Sequence, residues 1–172
     1  MPKKLGLEAG KVELEAFSPA WEVLYSIEEQ LIQQAFKDTL VCVAHIGSTS
    51  IKNMRAKPII DILLVLSNDF ILEEVIQLLA EMGYKHGAFK VEEGHFFIKG
   101  NGDVHTHYLH LRKESHGWKK YLTFRDYLRA YPKVASEYES LKDRLREKFH
   151  SKREFYTKGK EEFILGILGK FQ

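Results

Sequence analysis

With 172 residues, 44% of them hydrophobic, the chain has the length of one domain whose core needs no disulfide or metal staple. Its 26 basic and 24 acidic side chains leave a net charge of +2, which excludes a disordered polyelectrolyte and gives no global reason to expect a nucleic acid. The single cysteine, Cys42, excludes an intrachain disulfide framework and a multi-thiolate zinc site, and no apolar run approaches the roughly 20 residues of a membrane span, so no membrane partner is expected.

The chain opens with Lys3 and Lys4 but no apolar run of the kind a secretory signal needs, so a cytoplasmic protein is expected. Ser18 and Pro19 form a helix start, a hydroxyl cap followed by proline at the first helical position. Trp21, Leu24, Ile27, Leu31 and Ala35 then recur at helical spacing, which predicts a helix over 19–37. Residues 40–46 are β-branched and apolar and stop at Gly47-Ser48, the pattern of a buried strand entering a turn. Pro58 extends the chain before 59–66, an almost wholly apolar run that suits a central strand buried on both faces. An amphipathic helix is expected over 69–82, ended by Gly83.

Strands are expected at 95–99 and 104–111, with Asn101-Gly102 between them suited to a tight hairpin turn. From Trp118 the pattern is helical to the end: one helix over 118–131, a second opened by Pro132 and running to about 149, and a third over 158–170. Trp118, Tyr121, Phe124 and Tyr127 recur every three residues and read as a core-facing stripe. The layout predicts a mixed α+β fold in a single domain, with a sheet-and-helix core over 12–112 and a helical extension over 117–170.

Asp61 is the first candidate for chemistry, because a lone carboxylate inside an apolar strand is expensive to bury unless it is paired, hydrogen-bonded or metal-bound. Either it binds something or it caps a loop or pairs with Arg55 or Lys57. Twelve residues separate it from Ser48 in the Gly47-Ser48 turn. Gly47 permits close backbone approach, and Ser48, Thr49 and Ser50 add donors, so the turn suits phosphates held beside a carboxylate-bound metal. Lys57 and Arg55 would neutralise phosphate charge there, or pair with Asp61. Six of the eight histidines (His86, His95, His105, His107, His110, His116) fall within 31 residues. Strand alternation puts His105 and His107 on one face and His110 on the other, so all three converge on one ion only if a bulge intervenes. His95 and His105 read as cross-strand partners, and His86 and His116 as solvated.

The Gly47-Ser48 turn followed by Asp61 resembles the signature of the polymerase-β-type nucleotidyltransferases. More closely, HIGSTSI at 45–51, KPIIDIL at 57–63, YLHL at 108–111, FRDYLR at 124–129 and YESLK at 138–142 resemble the GrpB family, bacterial domains of the nucleotidyltransferase fold, in some proteins fused to a dephospho-CoA kinase. The resemblance implies a mixed sheet flanked by helices and a site that takes a nucleoside triphosphate, with Mg²⁺ or Mn²⁺ as cofactor and a nucleotidyl group transferred to an acceptor it does not name. By that resemblance Asp61 and His110 are metal ligands; Asp61, His110 and His107 are catalytic; and Gly47, Ser48, Thr49, Ser50, Lys57 and Arg125 hold phosphates. Arg125, Lys142, Tyr156 and Lys160 lie in family-like blocks that could close over a ligand, although Arg125 and Asp126 are also placed to pair with neighbouring charges.

The superfamily's second acidic ligand belongs two residues after the first, where this chain has Leu63, and no acid occurs over 104–111. A binding module without chemistry is therefore the alternative, recognising a nucleotide, a coenzyme-A-like metabolite or a partner protein. A transition-metal site of His107, His110 and Asp61 ranks below both, since alternation opposes it. Nucleic acid is not expected, because acids interrupt the basic run 142–153.

Overall fold

The computed structural model describes residues 5–87 and 94–171. Lys3 and Lys4, on which the reading of the N-terminus draws, lie outside the described residues. Six strands, β1 (Leu7–Glu8), β2 (Leu40–Ile46), β3 (Ile60–Leu66), β4 (Tyr84–His86), β5 (Gly94–Asn101) and β6 (Val104–Lys113), make one mixed sheet. Its order is β2-β3-β6-β5-β4, with β1 added to β6. The β3–β6 pair is parallel and the other pairs are antiparallel.

β3 is central for the reason its composition suggests. Ile60 and Ile62 to Leu66 are all sealed from solvent, and their alternation feeds two separate cores. Ile60, Ile62, Leu64 and Leu66 pack under α1 (Ala20–Ala35) and α2 (Leu72–Glu81), through Ile32, Phe36, Val75 and Leu79. Leu63 and Val65 face the other way and join Ala44, Ile46, Trp118, Tyr121 and Leu122 beneath α3 (Lys119–Ala130). Asp61 lies on this second face by parity. A third cluster of Ile51, Met54, Leu128, Tyr138 and Ile167 ties the turn after β2 to α4 (Pro132–Phe149) and α6 (Glu161–Leu168).

Several expectations shift. The first helix starts at Ala20, and Ser18 caps it through its backbone carbonyl, which accepts from Trp21 N–H, with no side-chain cap bond at the helix start. The aromatic stripe of α3 divides between two cores, Trp118 and Tyr121 against the sheet, Phe124 and Tyr127 against α4 and α6. The expected helix 158–170 begins later, as α6, and is preceded by a separate short helix, α5 (Arg153–Lys158). At the break Gly159 packs so tightly on α4 that an added Cβ would lie 2.4 Å from Leu145 Cδ2. β1 and β4, two and three residues long, carry too little pattern to announce themselves. Among the described residues, no helix is long and apolar enough to cross a membrane.

Candidate functional site

β2 ends at Ile46, which pairs directly with Asp61 on β3. The next residue, Gly47, has φ 68° and ψ −176°, a region that L side chains avoid. A Cβ there would also sit 2.5 Å from Asp61 Oδ2, so glycine is required twice over. The chain then makes a single 3₁₀ turn, Ser48–Ser50. Two of its hydroxyls are used internally: Ser50 Oγ donates to the Gly47 carbonyl at 2.6 Å, and Thr49 Oγ1 lies 2.9 Å from His45 Nε2. Ser48 Oγ instead accepts from Lys142 Nζ at 3.2 Å.

Parallel pairing of β3 with β6 sets Asp61 opposite Tyr108 and Leu63 opposite His110. His110 reaches along that face and places Nε2 3.4 Å from Asp61 Oδ1. Both side chains remain open to solvent, Asp61 by 28% and His110 by 21%, so a ligand has access to them. Burial pushes the Asp61 carboxyl up, but the hydrogen bond and charge of His110, aided by Lys57 and Lys160, hold it below its ordinary value.

Three lysines from three segments complete this face. Lys57, before β3, lies with Nζ 5.9 Å from the Tyr108 ring centroid and 5.6 Å from that of Tyr156. Lys160, between α5 and α6, approaches the same Tyr156 ring at 4.7 Å. Lys142 on α4 is 1% exposed and also donates to the Arg55 carbonyl. Burial, reinforced by Lys160 and Arg153, lowers Lys57 to about 7 against the pull of Asp61. Burial and Lys160 lower Lys142 to about 7 despite Glu139 and Asp143. Lys160 is also lowered by burial, opposed by Asp61. Among the described residues, none of the three forms an ion pair with a carboxylate.

The structure thus brings together Gly47, Ser48, Lys57, Asp61 and His110. It does not bring His107 to them. His107 lies on the opposite face, 7% exposed, with its ring 6.4 Å from Tyr84, beside Glu28 and Lys99. Three positions separate it from His110, and an odd separation along a strand puts the two side chains on opposite faces of the sheet. The shared-face expectation for His105 and His107 also fails. The β5–β6 register slips between Lys99 and Gly100, leaving Thr106 as an extra residue, and His105 Nδ1 lands 3.0 Å from the Tyr108 hydroxyl. His95 pairs across the strands with Leu111 rather than with His105 or His107, and its Nδ1 lies 3.3 Å from Nε2 of the exposed His86.

Arg125 stands apart from Asp61. Its guanidinium donates to the His45 carbonyl at 3.0 Å and to Asp126 at 2.8 Å, so it braces the end of β2. Arg55 pairs with Asp143 on α4 at 2.8 Å rather than with Asp61. Leu63 is fully buried among apolar neighbours. Lys142, Lys160 and Tyr156 carried no residue-level signal of their own, because lysine on a mixed-charge helix reads as solvated; only their family-like blocks pointed to them. Tyr138, one helical turn before Lys142, has its ring 5.3 Å from that ammonium and escaped notice as a core aromatic.

As a metal centre this donor set is thin. Asp61 and His110 contribute one carboxylate and one imidazole, and among the described residues no group of three or more His, Cys, Asp or Glu is placed to hold an ion. That does not fit a two-metal site, which needs carboxylates spanning both ions. A cleft of about 770 Å³ lies against the turn, lined by Phe17, His45, Thr49, Met54, Arg129 and Glu139. Arg129 donates there to the Ser50 carbonyl at 2.7 Å.

A sequence model described as GrpB protein matches residues 11–170. The chain is 34% identical to the glutamate-rich protein GrpB of Alkalihalophilus pseudofirmus over 175 residues, covering 96% of this chain and 99% of that one. It is 32% identical to the UPF0157 protein YqkA of Bacillus subtilis over 155 residues, covering 90% of this chain but spanning only 45% of that protein. A crystal structure of the conserved protein GrpB from Enterococcus faecalis superposes with a TM-score of 0.80 at 31% identity, over 92% of this chain and 96% of that one. A six-stranded α+β sheet with a helical extension, matched along nearly its whole length in sequence and in structure, makes this chain a member of the GrpB family.

Proposed function

We propose that the face carrying Ser48, Asp61, His110 and the three lysines binds the phosphate groups of a nucleotide or of a coenzyme-A-like metabolite. One observation carries the reading: Lys57 and Lys160, from separate segments, act on Asp61 while Lys142 reaches the neighbouring Ser48, and among the described residues none of the three forms an ion pair with a carboxylate. Buried charge without a partner is costly, and proteins keep it chiefly where a ligand supplies the counter-charge. The Gly47-Ser48 turn adds a hydroxyl within reach of Lys142. Resemblance to the fused family members supports the coenzyme-A-like option.

Nucleotidyl transfer is a second reading, favoured by the 3.4 Å contact between His110 and Asp61. An imidazole oriented by a carboxylate accepts a proton from an attacking hydroxyl, while ammonium groups stabilise charge growing on the phosphate. A thermal-shift panel of mono-, di- and triphosphate nucleotides, coenzyme A and pyrophosphate tests binding. Stabilisation by compounds with two or more phosphates is expected, and no shift with any of them at millimolar concentration would refute the reading. Pyrophosphate release from a nucleoside triphosphate, abolished by Asp61→Asn, would favour transfer over binding alone.

A further inference from the structure

The reaction expected of this fold relies on divalent cations to neutralise phosphate charge, yet the residues here are arranged otherwise. We infer that Lys57, Lys142 and Lys160 replace those cations, so that the site takes a di- or triphosphate group as the metal-free anion. This rests on the phosphate-binding reading above and adds the form in which the ligand is bound.

The second metal-ligand position is closed rather than merely substituted. Leu63 shares the face of Asp61 but is 0% exposed, packed with Ala44, Ile46 and Val65 beneath Trp118 and Tyr121. Neither an ion nor its water shell has room beside it. On the neighbouring strand, the residues opposite Asp61 and Leu63 are Tyr108 and His110, so no further carboxylate arrives from that side. The Tyr108 hydroxyl is itself engaged by Arg153, which brings another positive group to the same edge.

The charge balance around Asp61 then decides what the site attracts. Lys57 and Lys160 flank one aromatic ring, that of Tyr156, and both act on Asp61. Lys142 comes from the Ser48 side. One carboxylate beside two ammonium groups, with a third at the adjoining Ser48 turn, disfavours a divalent cation and attracts a polyanion. Ammonium groups on separate segments also match a phosphate chain, whose charge is spread over several oxygens.

Protonation supports the same conclusion. In the ligand-free chain Lys57 and Lys142 are lowered to about 7 by burial and by like charge, chiefly Lys160 with Arg153 beside Lys57 and Arg55 beside Lys142. Asp61 opposes the shift of Lys57, and Glu139 and Asp143 oppose that of Lys142. An arriving polyanion favours the charged forms and draws protons onto the site. Binding is therefore tighter near pH 6.5 than near pH 8.5.

Calorimetric titration of the full chain with inorganic pyrophosphate and with ADP, once in EDTA and once with excess Mg²⁺, tests this. Binding is expected in EDTA and weakens with Mg²⁺, which competes for the phosphates in solution. Lys57→Gln and Lys160→Gln, at half-buried positions, should each weaken binding about tenfold or more. Asp61→Asn should tighten EDTA binding, since a like charge is removed. Circular dichroism would establish that each variant is folded. Binding that requires Mg²⁺, vanishes in Asp61→Asn and survives both lysine variants would overturn the inference while keeping a phosphate site. Absence of binding under either condition would overturn the phosphate reading itself.

Discussion

At Gly47 two constraints coincide, a positive φ and the approach of the Asp61 carboxylate to where a Cβ would stand. Gly47→Ala is expected to lower stability by about 1–3 kcal/mol, which for a domain of this size is a fall in Tm of several degrees. It should also disturb the turn that sets Ser48 against Lys142 and so weaken any phosphate ligand. An unchanged urea midpoint would show that the turn relaxes freely. The two histidines of β6 separate more sharply. His107→Ala opens a hole beside Tyr84 in the buried layer and is expected to destabilise by about 1–3 kcal/mol without touching ligand affinity. His110→Ala, at a solvent-open position, should do the reverse. Denaturant melts and ligand-induced thermal shifts on both variants check the contrast.

Among the elements, β3 determines most of the architecture. Its apolar run predicts a strand buried on both faces, and one residue, Asp61, marks which face is polar at one end. Leu63 tests how strictly that polar region stops. Leu63→Asp supplies the second acid that the nucleotidyltransferase resemblance implies but inserts a carboxylate into a sealed apolar cluster. The expected result is destabilisation of about 3–5 kcal/mol, read from the denaturation midpoint, with no gain in Mg²⁺ affinity. The order of the long elements could be read from periodicity, since each buries one consistent face. The β6 bulge could not, because one extra residue at Thr106 inverts the parity of everything before it, and nothing in VHTHYLHL marks where the ladder slips. The break between α5 and α6 was equally hidden. Gly159 alone suggests a weak helix position, and only its contact with Leu145 shows that α4 needs the space.

Across the whole molecule, buried bases set the response to pH. His45 and His107 are lowered to about 4, mainly by burial. Arg129, Arg125 and His107 reinforce the shift of His45 against Asp61, and Lys99 reinforces that of His107 against Glu28. Their folded pKa lies below the ordinary 6.5, so the unfolded chain binds more protons between these values. Stability supplied by the neutral imidazoles is therefore present above pH 6.5 and is lost as pH falls towards 4. Lys57 and Lys142 act in a higher window. Folding holds them near 7 against an ordinary 10.5, so the ligand-free protein gains stability as pH rises from about 7 to 10. Chemical denaturation across pH 4–10 should show both rises, with His107→Phe flattening the lower one. A flat profile in either window would contradict the corresponding burial.

The net charge of +2 excluded a polyelectrolyte but concealed where charge collects. Local pattern alone determined the strand carrying Asp61, the glycine turn beside it and the opposite parities of His107 and His110, because alternation and turn chemistry act over a few residues. Tertiary structure decided which parity shares the face of Asp61, since that depends on which sheet face α1 and α2 cover and which is left to the helical extension. It also decided that Lys160 comes to Asp61 and Lys142 to Ser48 while Arg125 turns to brace β2. Those side chains lie some eighty to a hundred residues from Asp61 or from the turn they meet, and only packing of α3 to α6 on the sheet brings them within reach.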